Sequence, residues 1–240
     1  MSLPTAIWPL VPKRLPRSLG FKKYALQFDG TDDYVVVPDN PNLDITGSIT
    51  IEVLMKPDAP APDKALWLVK KSESDSGFEF AFSREPGKNN QFFLNWNPGT
   101  GKALWSSDNA VKVGEWNHLV GVYEHNVENR LYVNGELDTT RSVSGDIVPN
   151  DLDLTIAYPN YFPGQIALVR IYNRALSQAE IRWNMLNYHS PVRDGLVLFL
   201  YDRIVSDTWH DESGLGNDGT IHGAVRKELA MWEIRAELGL

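Results

Sequence analysis

The chain has 240 residues, 42% of them hydrophobic, and 23 Lys and Arg against 31 Asp and Glu give a net charge of −8. One core of that size buries well, and no apolar run approaches the roughly 18 residues that a membrane helix needs, which excludes insertion by such a helix. With no cysteine, disulfide staples and cysteine-zinc sites are excluded too.

Residues 1–23 read as an extended arm. Pro4, Pro9, Pro12 and Pro16 hold it near polyproline II, and Trp8, Leu10, Val11 and Leu15 supply apolar anchors. Lys13, Arg14, Arg17, Lys22 and Lys23 carry +5 with no acidic residue before Asp29, so of the total −8 the remainder carries −13. A basic arm on an acidic body is expected to dock on that body or on the next copy of it, with Trp8, Lys13, Arg14 and Arg17 as the assembly residues. The acidic body repels phosphate, so no nucleic-acid partner is expected. The arm lacks the continuous apolar stretch and small-residue cleavage site of a signal peptide.

From residue 24 onward, apolar or aromatic runs of four to eight residues are cut by Gly, Pro, Asn and Asp clusters, the pattern of antiparallel strands. Such runs lie at 34–37, 49–55, 65–69, 78–82, 92–96, 118–123, 130–133 and 152–157. Period-two alternation over 48–54 turns one side of a strand inward. Asn134-Gly135 fits a type I′ hairpin, which needs two positive-φ residues. Ser177-Gln178-Ala179-Glu180 is a capping box opening a helix that runs to about Tyr188 and stops before Pro191. Val225, Leu229, Trp232 and Ala236 fall at helical spacing, which predicts an amphipathic helix over 224–238.

Several of these segments share one resemblance. Residues 24–57 (YALQFDGTDDYVVVPDNPNLDITGSITIEVLMKP), 115–137 (EWNHLVGVYEHNVENRLYVNGEL) and 164–180 (GQIALVRIYNRALSQAE) together resemble the laminin-G-like branch of the concanavalin A-like jelly rolls. The resemblance implies an all-β fold: a two-sheet antiparallel jelly-roll sandwich, with a short helix after the last core strand and a C-terminal amphipathic helix. The domain plan is an arm at 1–23, the sandwich at 24–223 and a terminal helix at 224–240. Within it Gly30 permits a tight turn, Asp29, Asp32 and Asp33 bond turn amides, and the Trp116 indole is expected between the sheets.

The block that usually opens such a domain, GLVLFLYDRIVSDTWHDESGLGNDGTIHGA, stands instead at 195–224. The sandwich is then circularly permuted, and the late strands complete the sheet beside residues 24–28. The intramolecular route has the higher effective concentration, with donation to a neighbouring chain as the alternative. The resemblance also brings a structural calcium whose aspartate belongs to a pattern similar to I-D-x-V-R-I-Y. Here Ala167 stands in its place, so no metal and no cofactor are expected, and the Asp29, Asp32 and Asp33 carboxylates read as turn caps.

Hydrolytic relatives carry Glu-x-Asp-x-Glu or Glu-x-Asp-x-x-Glu on a strand, which sets nucleophile and acid on one face. Neither Glu73-Ser74-Asp75 nor Glu136-Leu137-Asp138 completes the set. The five histidines, His118, His125, His189, His210 and His222, show no metal-ligand spacing, and His118 reads as a hydrogen-bonded strand residue. No catalytic residue is assigned. The leading reading is a non-catalytic structural or attachment protein of an extracellular or virion surface, with copies of itself or other surface proteins as partners. The alternative is a carbohydrate-binding module. Its glycan platform would comprise Asn95, Trp96, Asn97, Trp105 and the aromatic loop carrying Tyr158, Asn160 and Tyr161.

Overall fold

The computed structural model describes residues 23–240; the proposed assembly residues Trp8, Lys13, Arg14 and Arg17 lie outside that range. In chain order the first strands are β1 (Lys23–Asp29), β2 (Tyr34–Val37), β3 (Ile49–Pro57), β4 (Leu66–Glu73), β5 (Ser76–Ser83), β6 (Gln91–Trp96), β7 (Leu104–Trp105) and β8 (Asn117–Glu124). There follow β9 (Glu128–Val133), β10 (Glu136–Ser142), β11 (Leu154–Ile156), β12 (Pro163–Tyr172), helix α1 (Gln178–Leu186), β13 (Leu196–Val205), β14 (Thr208–Asp211), β15 (Gly219–His222), β16 (Val225–Leu229) and helix α2 (Met231–Glu237).

The ladder runs β10-β9-β8-β3-β12-β13-β14-β15-β2-β11-β4-β5-β6-β7, with β1 on β12 and β16 on β1. It doubles over at β13, whose first half pairs with β12 (Leu200 with Val169) and whose end pairs with β14 (Val205 with Thr208). The result is a back sheet up to β13, including β1 and β16, and a front sheet from β14 to β7. Alternate residues of both meet in one core. Phe78, Phe80 and Phe82 of β5 and Phe92, Leu94 and Trp96 of β6 face Ile51, Val53 and Met55 of β3 and Ile166, Val169 and Ile171 of β12. Each such side chain contributes about 1.5–3 kcal/mol when fully buried. The layers approach closely at Gly121 of β8, where a Cβ would lie 2.9 Å from the Phe80 ring and 3.1 Å from Leu94 Cβ.

The back sheet is apolar on its outer side as well. Leu54, Val120, Val122, Leu168 and Phe199 form a second core with Ile181 and Met185 of α1, Ile234 of α2 and Leu238 just after it. Both halves of the Ser177–Glu180 capping box are present, which fixes the start of α1. Lys56 holds α2 through Glu233 at 2.7 Å and Glu237 at 3.2 Å. Between sheet and α1 lies a buried polar network. Arg170 donates to Glu52 Oε2 (2.9 Å), while Asn184 donates to Glu52 Oε1 (3.0 Å) and to the Tyr172 hydroxyl (2.9 Å), all of it buried. Breaking one member of such a network leaves a buried charge unpaired, at a cost of about 3–5 kcal/mol.

Several sequence expectations are corrected. Residues 225–229 are a strand, and the terminal helix is confined to α2; the free edge of β1 offers five paired positions, Lys23–Gln27, that outweigh a helical pattern with few apolar residues. Trp116 packs in the outer core with α2, and its backbone N–H bonds Glu237 at 2.6 Å, so its indole does not sit between the sheets. His118 is fully buried on the same side, and neither ring nitrogen has a hydrogen-bond partner among the described residues. Burial and the Arg170 charge hold its pKa down at about 3, so the ring is neutral. The displaced block does adjoin β1, Lys23 forming an ion pair with Asp202, but its ladder partners are other strands. Its first strand, β13, pairs with the C-terminal half of β12, and β15 pairs with β2 (Thr220 with Val36), all within one chain. The hairpin reading matches the backbone: Asn134 and Gly135 have φ of 49° and 79°.

Candidate functional site

Helices cover the back sheet, whereas no helix packs on the outer side of the front sheet, where Trp67 and Trp105 are half-buried and Ala81 and Phe93 are buried. Strand parity decides what stands there. On β5 the phenylalanines point inward, so Glu79 and Ala81 point out; on β6 Phe93 and Asn95 point out; on β4, past a bulge between Trp67 and Val69, Trp67 and Lys70 do. Cross-strand register aligns them in two rows: Thr155-Lys70-Glu79-Asn95, and Trp67-Ala81-Phe93-Trp105.

The polar row is internally bonded. Ser72 Oγ donates to Glu79 Oε1 at 2.7 Å, Asn95 Nδ2 donates to Oε2 at 3.3 Å, and Lys70 Nζ lies 3.6 Å from the same carboxylate. Glu79 is therefore oriented and nearly buried, while Lys70 and Asn95 are half-exposed. The aromatic row is a contiguous ridge. Phe93 meets Trp67 edge-on at 5.9 Å and Trp105 at 4.5 Å, and Lys70 Nζ stands 5.5 Å from the Trp67 ring. Beside the rows opens a cleft of about 310 Å³ lined by Lys70, Ser72, Leu152, Asp153, Thr155, Tyr158 and Pro159. Tyr158 forms its rim and continues into an aromatic group: Tyr34 lies 5.1 Å from Tyr158 and 6.4 Å from Tyr161, and His222 stacks on Tyr34 at 4.4 Å.

Of the sequence-chosen platform, Asn95 and Trp105 stand on this face, and Tyr158, Asn160 and Tyr161 lie on the loop at its edge. Trp96 and Asn97 do not. Trp96 is fully buried, stacks on Tyr123 at 4.3 Å and donates to Asn129 Oδ1 at 3.1 Å. Asn97 is buried and clamps the 146–148 segment by donating to the Asp146 carbonyl and accepting from Val148 N–H. Asn95 and Trp96 are consecutive on one strand, so they cannot share a face. Trp67, Lys70, Ser72, Glu79, Phe93 and Thr155 were missed, although the alternation Phe78-Glu79-Phe80-Ala81-Phe82 marks Glu79 as outward.

The other candidates fall elsewhere. Glu73-Ser74-Asp75 reaches into the β4–β5 turn, and Glu136 on β10 pairs with Arg182 at 2.7 Å. Asp29, Asp32 and Asp33 bring their carboxylates within 4.8 Å of one another. Asp29 accepts from Thr31 N–H and Asp33 from Asp29 N–H, as turn caps do. Burial, with Asp29 and Asp32 adding like charge, raises the Asp33 pKa against the pull of the Asp29 N–H. Ala167 is buried in the outer apolar core, where a carboxylate would have no water.

The family model described as the concanavalin A-like lectin/glucanases superfamily, in its third laminin-G form, matches residues 29–182. The chain belongs to that superfamily. Several solved structures share the fold at low identity. A protein of Bacteroides ovatus, provisionally described as carbohydrate-binding, superposes with a TM-score of 0.69 at 19% identity over 87% of this chain and 60% of its own. The present chain thus spans about three fifths of that protein. The heptameric SAP-like pentraxin of Limulus polyphemus gives 0.57 at 13%, covering 87% of this chain and 96% of the pentraxin. Domain 4 of AbnA, a GH43 extracellular arabinanase of Geobacillus stearothermophilus solved with arabinotriose, gives 0.51 at 16%, covering 68% and 80%. No curated protein sequence matches this concanavalin A-like chain.

Proposed function

We propose that this concanavalin A-like sandwich is a non-catalytic carbohydrate-binding module and that the open face of the front sheet is its binding surface. The observation that carries the reading is the pairing of an aromatic ridge, Trp67-Phe93-Trp105, with a row of oriented polar groups, Lys70-Glu79-Asn95, on a broad sheet face that no helix among the described residues covers. The C–H side of a pyranose or furanose ring packs on indole, while carboxylate, amide and ammonium groups bond its hydroxyls; a few placed polar groups in an apolar setting fix orientation. Tyr158 and Asp153 would bound the sugar at the cleft. Support from relatives is of the same kind: one neighbour is provisionally named carbohydrate-binding, and another was solved with arabinotriose.

A glycan array followed by calorimetry tests this. The expected outcome is a saccharide ligand whose affinity falls about tenfold or more in Trp105→Ala, in Trp67→Ala and in Glu79→Gln, the loss of roughly 1.4 kcal/mol or above. An array without binders, or affinities indifferent to all three substitutions, removes the reading. The surface-attachment and self-association reading rests on residues 1–23 and on the displaced 195–224 block; that block pairs with strands of its own chain, and the features described for 23–240 favour the sugar surface. Work at an extracellular or virion surface is part of the same proposal, since polysaccharides are met there.

A further inference from the structure

Lys71 neighbours the cleft but points the other way. Its side chain is 2% exposed, yet it is enclosed by oxygen and not by carbon alone. Nζ donates to Asp39 Oδ1 at 2.5 Å, to the Leu152 carbonyl at 2.7 Å and to the Asn150 carbonyl at 2.8 Å, which uses all three N–H donors of an ammonium. A fourth oxygen, Asp44 Oδ1, lies 3.4 Å away; it is buried and takes no hydrogen bond. Two carboxylates of residues 39–44 and two carbonyls of residues 150–152 thus converge on one positive atom. Calcium sits 2.3–2.6 Å from its oxygens, and most of these contacts are longer.

We infer that the cage of Asp39, Asp44, Asn150 and Leu152 is a monovalent-cation site, of ammonium size, that the protein fills with its own Lys71 Nζ. A desolvated ammonium is costly unless fully paired, so the cage and the lysine stand or fall together. The cage ties the segment after β2 to the segment before β11. Leu152 and Asp153 of the latter wall the cleft, and Asp153 Oδ1 also accepts the Asp39 N–H at 2.9 Å. Lys71 is therefore a positioning residue for that wall. The inference is independent of whether the cleft takes a sugar.

The test is Lys71→Ala, read by thermal unfolding and by hydrogen exchange over 150–153 in chloride salts of equal ionic strength. Tm is expected to drop by about 5 °C or more. About half of the loss should return in ammonium or potassium but not in tetramethylammonium, which is too large for the space, and protection of 150–153 should return with it. An unchanged Tm, or equal recovery in all three salts, overturns the inference. Should Lys71→Ala fail to fold, acetylation of the wild-type protein decides. Lys71 is expected to stay unmodified while half-exposed Lys70 reacts, and equal rates at both overturn the cage.

Discussion

Trp96 and Trp105 are both tryptophans of neighbouring strands, and the fold gives them opposite work. Trp96→Ala empties space between the sheets and is expected to lower stability by about 3–5 kcal/mol, seen as a lower denaturation midpoint. Trp105→Ala, on the open face, should leave that midpoint nearly unchanged while weakening saccharide binding. His118 gives a second prediction. Its folded pKa is about 3 against 6.5 for a free histidine. Below pH 6.5 the unfolded chain binds a proton that the native ring refuses, so stability falls as pH drops from 6.5 toward 3. The limiting slope is about 1.4 kcal/mol per pH unit. His118→Leu should flatten that part of the stability profile in urea titrations from pH 4 to 7; an unaltered profile would show that the ring is protonated inside the fold. At this scale strand parity separates residues that type alone groups together: Asn95 and Trp105 fall on the outer side of the front sheet, whereas Trp96 faces inward, since type does not say which side of a strand a ring occupies. Lys71 could not be read at all, since the residues of its cage lie 27 to 81 positions away.

Among the elements, those with their own local chemistry were the most legible. The Ser177 box both predicts and delivers α1, and the box is reinforced by Arg174, which donates to both Glu180 oxygens. That ion pair, with the Ser177 N–H, holds the Glu180 pKa at about 2. The carboxylate therefore supports α1 above pH 4.5, and this support is lost as pH falls toward 2. Ser177→Ala is expected to cost about 1 kcal/mol, with faster amide exchange in the first turn of α1 as the check. The Asn134-Gly135 hairpin was equally legible. By contrast β16 was hidden: Val225, Leu229 and Trp232 have helical spacing, and only the presence of the β1 edge converts the first five residues to a strand. Local pattern lost there to a tertiary partner that the sequence does not announce.

For the whole molecule, the jelly-roll class and its family motifs were readable, while the asymmetry of the two sheets was not. No strand sequence says that α1 and α2 both settle on the back sheet and leave the front one bare. The two layers register at Gly121, and Gly121→Val is predicted to destabilise the fold by about 1–3 kcal/mol, because Phe80 and Leu94 would have to move. A Tm within a degree of wild type would contradict that tight approach. The pairing of β1 with β16 has a mechanical consequence. Lys23 lies opposite Leu229 at one end of an antiparallel pair, and Gln27 lies opposite Val225 at the other. Tension drawn through the chain at these two points, once α2 is lifted from Lys56, loads the rungs in succession and not all together. The domain should therefore open like a zipper at low force, shedding β16 first and passing the pull next to β15, the strand of the front sheet that precedes it in the chain and pairs with β14 and β2.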